Sequence, residues 1–323
     1  MTRKMMSSVL GVLLCFYGLA FAQETKYPTK PIRMVVGYAP GGGSDIMGRL
    51  IAPQITEAMG QQVIVENRPG VAQNIAAEYV AKSPADGYTL FMSSAALGVN
   101  VSLYPKLNYD PVRDFAPVTP VATVTMVIIT HPALPAQTLK EFIALAKSKP
   151  GQLNYGSGGS GTSLHLAGEL FKITAGVDLV HVPYKGASVA MNDVIGGRLD
   201  SLFIGIPAPA PHIKAGRLRG LAVLAPQRSP VLPEVPTATE AGLPGFEVTT
   251  WYGVLAPAGT PKDIVARLNR EIVRIMNAPD TKERLAVVAA DPMTSSPEQF
   301  AAYIKQEIAR WSKVVRTAGL RAD

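Results

Sequence analysis

Two short stretches of this 323-residue chain gather residues suited to holding an anion. In "GYAPGGGSDIMGRL", Gly41, Gly42 and Gly43 run into Ser44 and Asp45 and then into a helix-like pattern. In "YGSGGSGTSLHLAGELF", Ser157, Gly159, Ser160, Gly161 and Thr162 lead in the same way into a helix that contains His165. Glycine loses more backbone entropy on folding than any other residue, so three in succession need a reason, and uncovered backbone amides supply one. At a helix N-terminus those amides are unpaired and partly positive, so a phosphate or carboxylate binds there without a lysine. The two loops begin at Gly41 and Gly156, far enough apart to approach one ligand from two domains.

Side chains around the loops have competing readings. Ser157, Ser160 and Thr162 offer hydroxyls as well as amides. His165, one turn into its helix, suits packing and ligand donation equally. Tyr38 and Tyr184 flank the loops and suit either stacking on an aromatic acid or ordinary core packing. Asp45 would repel a carboxylate ligand, so its expected role is to cap the first turn of its helix rather than to touch the ligand. Lys185 reads as a solvated loop residue. His131, His181 and His212 show no metal-ligand spacing, and neither a metal nor a cofactor is expected.

The elements that must position these loops read as an α/β pattern. Apolar runs rich in β-branched residues cover 33–38, 63–66, 89–93, 126–130, 153–155, 179–183, 202–206 and 221–224, and suit parallel strands covered on both faces. Helix starts are marked by capping boxes at Thr138–Glu141 and Ser296–Gln299, and by Pro261 at an expected first helical position. Phe300, Ile304, Ile308, Trp311 and Val315 recur at steps of three or four and form a core-facing stripe. Open doubly wound sheets place ligands at the carboxyl ends of their strands, which is where both glycine loops fall.

Arg3 and Lys4, the apolar run from Val9 to Phe21 and the Ala20-Phe21-Ala22 terminus read as a secretory signal peptide over residues 1–22, cleaved after Ala22. The lone cysteine, Cys15, leaves with it, so disulfides and thiolate chemistry are excluded from the mature chain. Losing Arg3 and Lys4 lowers the formal charge from +7 to +5, with no block of five like charges. That balance favours anionic ligands weakly and gives no basic, aromatic-interleaved patch for nucleic acid. The remaining length points to two domains.

An exported hydrolase of the α/β type is the alternative function. It lacks a G-x-S-x-G nucleophile elbow, and the serines of "GSGGSG" stand in other positions. Gly156, Gly158 and Gly161 do spell G-x-G-x-x-G, with Asp178 beyond, but the repeated cradle already explains these glycines.

The sequence resembles the Bug family, the periplasmic receptors of tripartite tricarboxylate transport systems. The resemblance rests on "YPTKPIRMVVGYAPGGGSDIMGRL", "VENRPG", "DGYTL", "YGSGGSGTSLHLAGELF", "HVPYKGA", "GGRLD", "PHIKAGRLRGLAVL" and "WYGVLAPAGTP", in that order along the chain. It implies a type II periplasmic-binding-protein fold, two doubly wound domains around a ligand cleft, with a small di-, tri- or aromatic carboxylate bound between them. It also implies delivery to membrane permease subunits by a monomeric, non-enzymatic receptor. Crossings between domains are expected near Val124 and Thr250, giving one domain from 23–124 plus 251–323 and a second from 125–250. Two departures bear on specificity. Where many relatives carry a polar pair after "GGRLD", this chain has Ile204 and Gly205, which disfavours ligands with an ammonium group. After "DGYTL" it reads Ser93-Ser94-Ala95 in place of Gly-Thr-Asn, which substitutes hydroxyls for an amide.

Overall fold

The computed structural model describes residues 27–317, 319 and 320. The segment read as a signal peptide lies outside the described residues. Among the described residues ten strands run in chain order: β1 (Ile32–Val36), β2 (Val63–Asn67), β3 (Thr89–Ser94), β4 (Phe115–Thr130), β5 (Asn154–Ser157), β6 (Val180–Pro183), β7 (Ser201–Gly205), β8 (Arg219–Val223), β9 (Thr249–Pro257) and β10 (Ala290–Pro292). The helices are α1 (Gly43–Met59), α2 (Asn74–Ala81), α3 (Ala96–Leu103), α4 (Leu139–Ser148), α5 (Ser163–Ala175), α6 (Ala187–Ile195), α7 (Ala210–Lys214), α8 (Lys262–Asn277), α9 (Pro279–Val287) and α10 (Pro297–Thr317).

Strands β2, β1 and β3 are parallel, as are β6, β5 and β7, and each set belongs to its own sheet. The antiparallel strands β9 and β4 stand between them, so both sheets are mixed at the centre rather than parallel throughout. Strand β4 serves both sheets: Phe115–Thr125 pair with β9, and Met126–Thr130 pair with β7 and β8. Its first half escaped the sequence reading, which began the strand at Met126. Pro117 and Pro120 argue against a central strand, but here each sits at a register shift opposite β9, the kind of irregularity at which a strand tolerates proline. Strand β9 was missed outright.

Each sheet has its own apolar packing. One cluster joins Ile128, Phe142, Phe171, Phe203 and Phe246 around the second sheet. Two others cover the faces of the first, one with Met47 and Ile51 of α1 and the other with Phe300 and Ile304 of α10. The α10 stripe is core as its periodicity implied, with Phe300, Ile304, Trp311 and Val315 buried. Leu166 of α5 packs with Val99, Leu103 and Trp311 in a small cluster that ties the second sheet's helix to α3 and α10 of the first. The Ser296–Gln299 box closes in both directions, with Gln299 N–H on Ser296 Oγ at 3.2 Å and Ser296 N–H on Gln299 Oε1 at 3.0 Å. Pro261 is the N-cap of α8, one position before its expected place.

Candidate functional site between three helix N-termini

The first glycine loop carries the chain from β1 to α1. Gly41 has φ of 79°, a backbone region that disfavours any side chain, and Gly42 is an N-cap that supplies no side-chain acceptor to the first turn. Asp45 does not cap that turn. Its carboxylate turns back to accept the Gly41 N–H at 2.9 Å, Arg49 Nε at 3.0 Å and Asn67 Nδ2 at 2.9 Å. Burial alone would raise its pKa, but the Arg49, Gly41 and Asn67 hydrogen bonds together hold it below the ordinary carboxylate value. Asp45 therefore stays ionised and neutralised within its own loop, and the Gly41 amide is spent on it. At Gly43 a Cβ would overlap the hydroxyl of Tyr252 and approach its Cζ to 2.8 Å, so only glycine admits β9 this close. Ser44 is 2% exposed, and its Oγ has no hydrogen-bond partner among the described residues.

The second loop spends more of itself than its sequence suggests. Gly159 N–H donates to Ser157 Oγ at 3.0 Å, and Gly161 N–H to His165 Nδ1 at 3.2 Å. Thr162 is the N-cap of α5, accepting from His165 N–H and donating its hydroxyl to the Gly159 carbonyl at 2.8 Å. Ser160 offers its carbonyl to the Tyr104 hydroxyl of the other sheet's domain. His165 thus proves to be a loop-holding residue. Burial, with a smaller contribution from Lys172, depresses its pKa to about 4, which keeps Nδ1 free to accept, and its ring stacks on His181 at 4.1 Å. The first-turn residues Ser163 and Leu164 remain to face the cleft, with Ser163 Oγ donating to Thr250 Oγ1 at 3.1 Å.

Between the loops lies a narrow cleft with about 30 Å³ open to the centres of water-sized molecules. Of the residues expected from sequence, it is lined by Tyr38, Gly42, Gly43, Ser44, Ser94 and Thr162. Burial raises the Tyr38 and Tyr252 pKa values well above the ordinary tyrosine value, so both hydroxyls are protonated. The other expected residues stand off the lining for identifiable reasons. Gly41, Asp45, Ser157, Gly159, Gly161 and His165 are the loops' internal bracing, and Ser160 faces Tyr104. Ser93 is wholly buried behind Ser94, and Ala95 N–H is bonded to the Trp251 carbonyl. The Tyr184 hydroxyl is committed to Asp193 at 2.7 Å. Ile204 and Gly205 pair with Val127 and Met126 of β4, where a Cβ on Gly205 would meet Val124 at 2.9 Å.

Sequence reasoning missed Gly158, Ser163, Leu164, Ala187, Thr250 and Tyr252. Ser163 and Leu164 were findable, because the residues just after an N-cap threonine carry the unpaired amides. Ala187 opens α6 behind another uncapped glycine, Gly186, so a third helix N-terminus meets α1 and α5 at this cleft. Among the described residues no charged side chain lines the cleft, and its positive potential comes from helix ends, each equivalent to roughly half an elementary charge.

Two domains joined through a shared strand, with helix N-termini converging on the cleft between their sheets, define a solute-binding protein of the periplasmic class. The model of the tripartite tricarboxylate transporter family receptor matches residues 47–320, and the chain belongs to that family. The R. palustris protein solved with adipate is 38% identical, with a TM-score of 0.89 over 92% of this chain and 100% of that one. The periplasmic binding protein BugD is 32% identical, with a TM-score of 0.88 over the same shares. MatC from Rhodopseudomonas palustris, solved with malate, is 33% identical, with a TM-score of 0.84 over 90% of this chain and 100% of that one. Members of this group are binding receptors of the Bug type, not enzymes, which sets the hydrolase alternative aside.

Proposed function

We propose that this protein captures a small carboxylate in the periplasm and presents it to the membrane permease subunits of a tripartite tricarboxylate transporter. One domain comprises residues 23–124 and 251–323 and the other 125–250, with hinges near Val124 and Thr250. The mature chain starts at Gln23 and works as a monomer. The observation that carries the reading is the Ser44 hydroxyl, buried without a partner among the described residues, where the starts of α1, α5 and α6 converge. A buried hydroxyl left unpaired costs about 1–3 kcal/mol, and a carboxylate oxygen arriving between the helix ends removes that cost. Adipate and malate in the related structures support a carboxylate as the ligand here.

Closure follows from the same arrangement. A ligand that contacts α1 on one side and α5 and α6 on the other favours the state in which both sides reach it. A thermal-shift screen of mono-, di-, tri- and aromatic carboxylates tests the reading. A ligand at 100 times its Kd adds about 2.7 kcal/mol, which is several degrees. Stabilisation by carboxylates, and not by their amides, is the expected outcome. A panel in which no carboxylate raises the midpoint overturns it. Mass spectrometry of the exported protein checks the Gln23 terminus.

A further inference from the structure

Behind the cleft, a strained turn fixes the direction of a hydrogen-bond chain. Val71, Ala72 and Gln73 have φ values of 46°, 47° and 68°, three successive non-glycine residues in the left-handed region. Such residues are costly and persist only where the surroundings impose them. The turn drives the Gln73 side chain into the protein, where it is wholly buried against β3. There Nε2 donates to the Ser94 carbonyl at 3.3 Å, and Oε1 accepts from Ser94 N–H at 3.2 Å and from Ser94 Oγ at 3.1 Å. The two main-chain bonds decide which end of the carboxamide is oxygen.

A serine hydroxyl has one proton, and Ser94 gives it to Gln73. The 3.2 Å contact between Tyr38 and Ser94 is then donated by Tyr38. With its only proton turned inward, Tyr38 presents its oxygen to the cleft as an acceptor. The amides at the starts of α1, α5 and α6 are donors, so this oxygen is a directed acceptor set among donors. The Ser44 hydroxyl of the same cleft, buried and without a partner among the described residues, is a further polar group that a ligand atom can pair.

We propose that the ligand is a hydroxy acid, whose carboxylate lies at the helix ends and whose hydroxyl donates to Tyr38. The inference rests on the carboxylate reading above and goes beyond it. An ammonium group also donates, but it would enter a cleft of positive helix ends with no lining carboxylate among the described residues to meet it, and nearby Asp45 is neutralised within its loop. The site thus favours a hydroxy acid over both its deoxy and its amino counterpart.

Calorimetry on the mature protein tests this with matched pairs: lactate and propionate, malate and succinate, 2-hydroxyglutarate and glutarate, citrate and tricarballylate, mandelate and phenylacetate, with aspartate and glutamate as amino counterparts. The expected result is at least tenfold tighter binding of the hydroxy member in the best-bound pair. In Ser94→Ala the Tyr38 proton is released toward the cleft, and in Tyr38→Phe the acceptor is gone. Each should reduce the hydroxy-to-deoxy ratio to below about threefold, as a ratio measured within one folded variant. Carboxylate binding with the deoxy member equal or tighter overturns this inference and leaves the carboxylate reading standing. An unchanged ratio in both variants overturns the role given to Tyr38, and no binding by any member overturns both readings.

Discussion

Replacing Ser44 by alanine should move stability and affinity in opposite directions. The Ser44 hydroxyl is buried with no hydrogen-bond partner among the described residues, an arrangement that costs about 1–3 kcal/mol relative to a satisfied or absent hydroxyl. The adjoining cleft has about 30 Å³ open to water centres, enough for a water molecule to recover part of that cost. The lower end of the range therefore applies, and Ser44→Ala should stabilise the ligand-free protein by about 1 kcal/mol, or roughly 2 °C in the melting midpoint. Binding should suffer, because a hydrogen bond to a charged oxygen contributes about 1.5–3 kcal/mol, which corresponds to a loss of roughly 10- to 150-fold in Kd. Calorimetry with whichever carboxylate gives the largest thermal shift measures the second quantity, and scanning calorimetry without ligand the first. A variant that loses stability and affinity together would show that Ser44 is a structural residue of α1. A variant with unchanged affinity would show that the ligand does not reach the helix start.

Gly43→Ala should cost about 1–3 kcal/mol of stability, because the new methyl overlaps Tyr252, whereas Gly42→Ala meets nothing closer than the Ala39 carbonyl at 3.4 Å and should be tolerated. Equal melting midpoints for the two would refute the close approach of β9. Arg49→Gln should keep carboxylate affinity within about fivefold, since Arg49 serves Asp45 and Asn67 rather than the cleft; a tenfold loss by calorimetry would make it the anion's partner. His165 is depressed from 6.5 to about 4, so its contribution to stability is complete above pH 6.5 and is lost as the pH falls toward 4, by roughly 3 kcal/mol in total. Urea midpoints for wild type and His165→Asn should converge in slope above pH 6.5 and differ between 4 and 6.5, and parallel pH profiles over that range would refute the assignment.

Much of this architecture was legible in the chain because its signals are local. A capping box spans four residues, a core stripe repeats every three or four, and a glycine run before a helix marks a loop with few side chains to cover its amides. Hence both cradles, the α10 stripe and most strands could be read directly, and the family resemblance followed from motifs in order. Strand β4 shows where local reading stops. Its prolines forbid a regular central strand, and only the partner strand β9 supplies the bulges that accommodate them.

The sequence determined that two glycine loops would each open a helix and leave amides exposed, since backbone freedom and helix-end polarity are properties of the residues themselves. Which amides remain free was decided by the tertiary structure. Gly41 gives its N–H to Asp45, a carboxylate held in place by Asn67 from β2, and Gly161 gives its N–H to a histidine kept neutral by burial. Likewise Thr250 and Tyr252 enter the cleft only because β9 returns the chain to the first sheet. A hydrogen-bond donor can be spent once, and the acceptor that spends it is chosen by packing between segments distant in the chain.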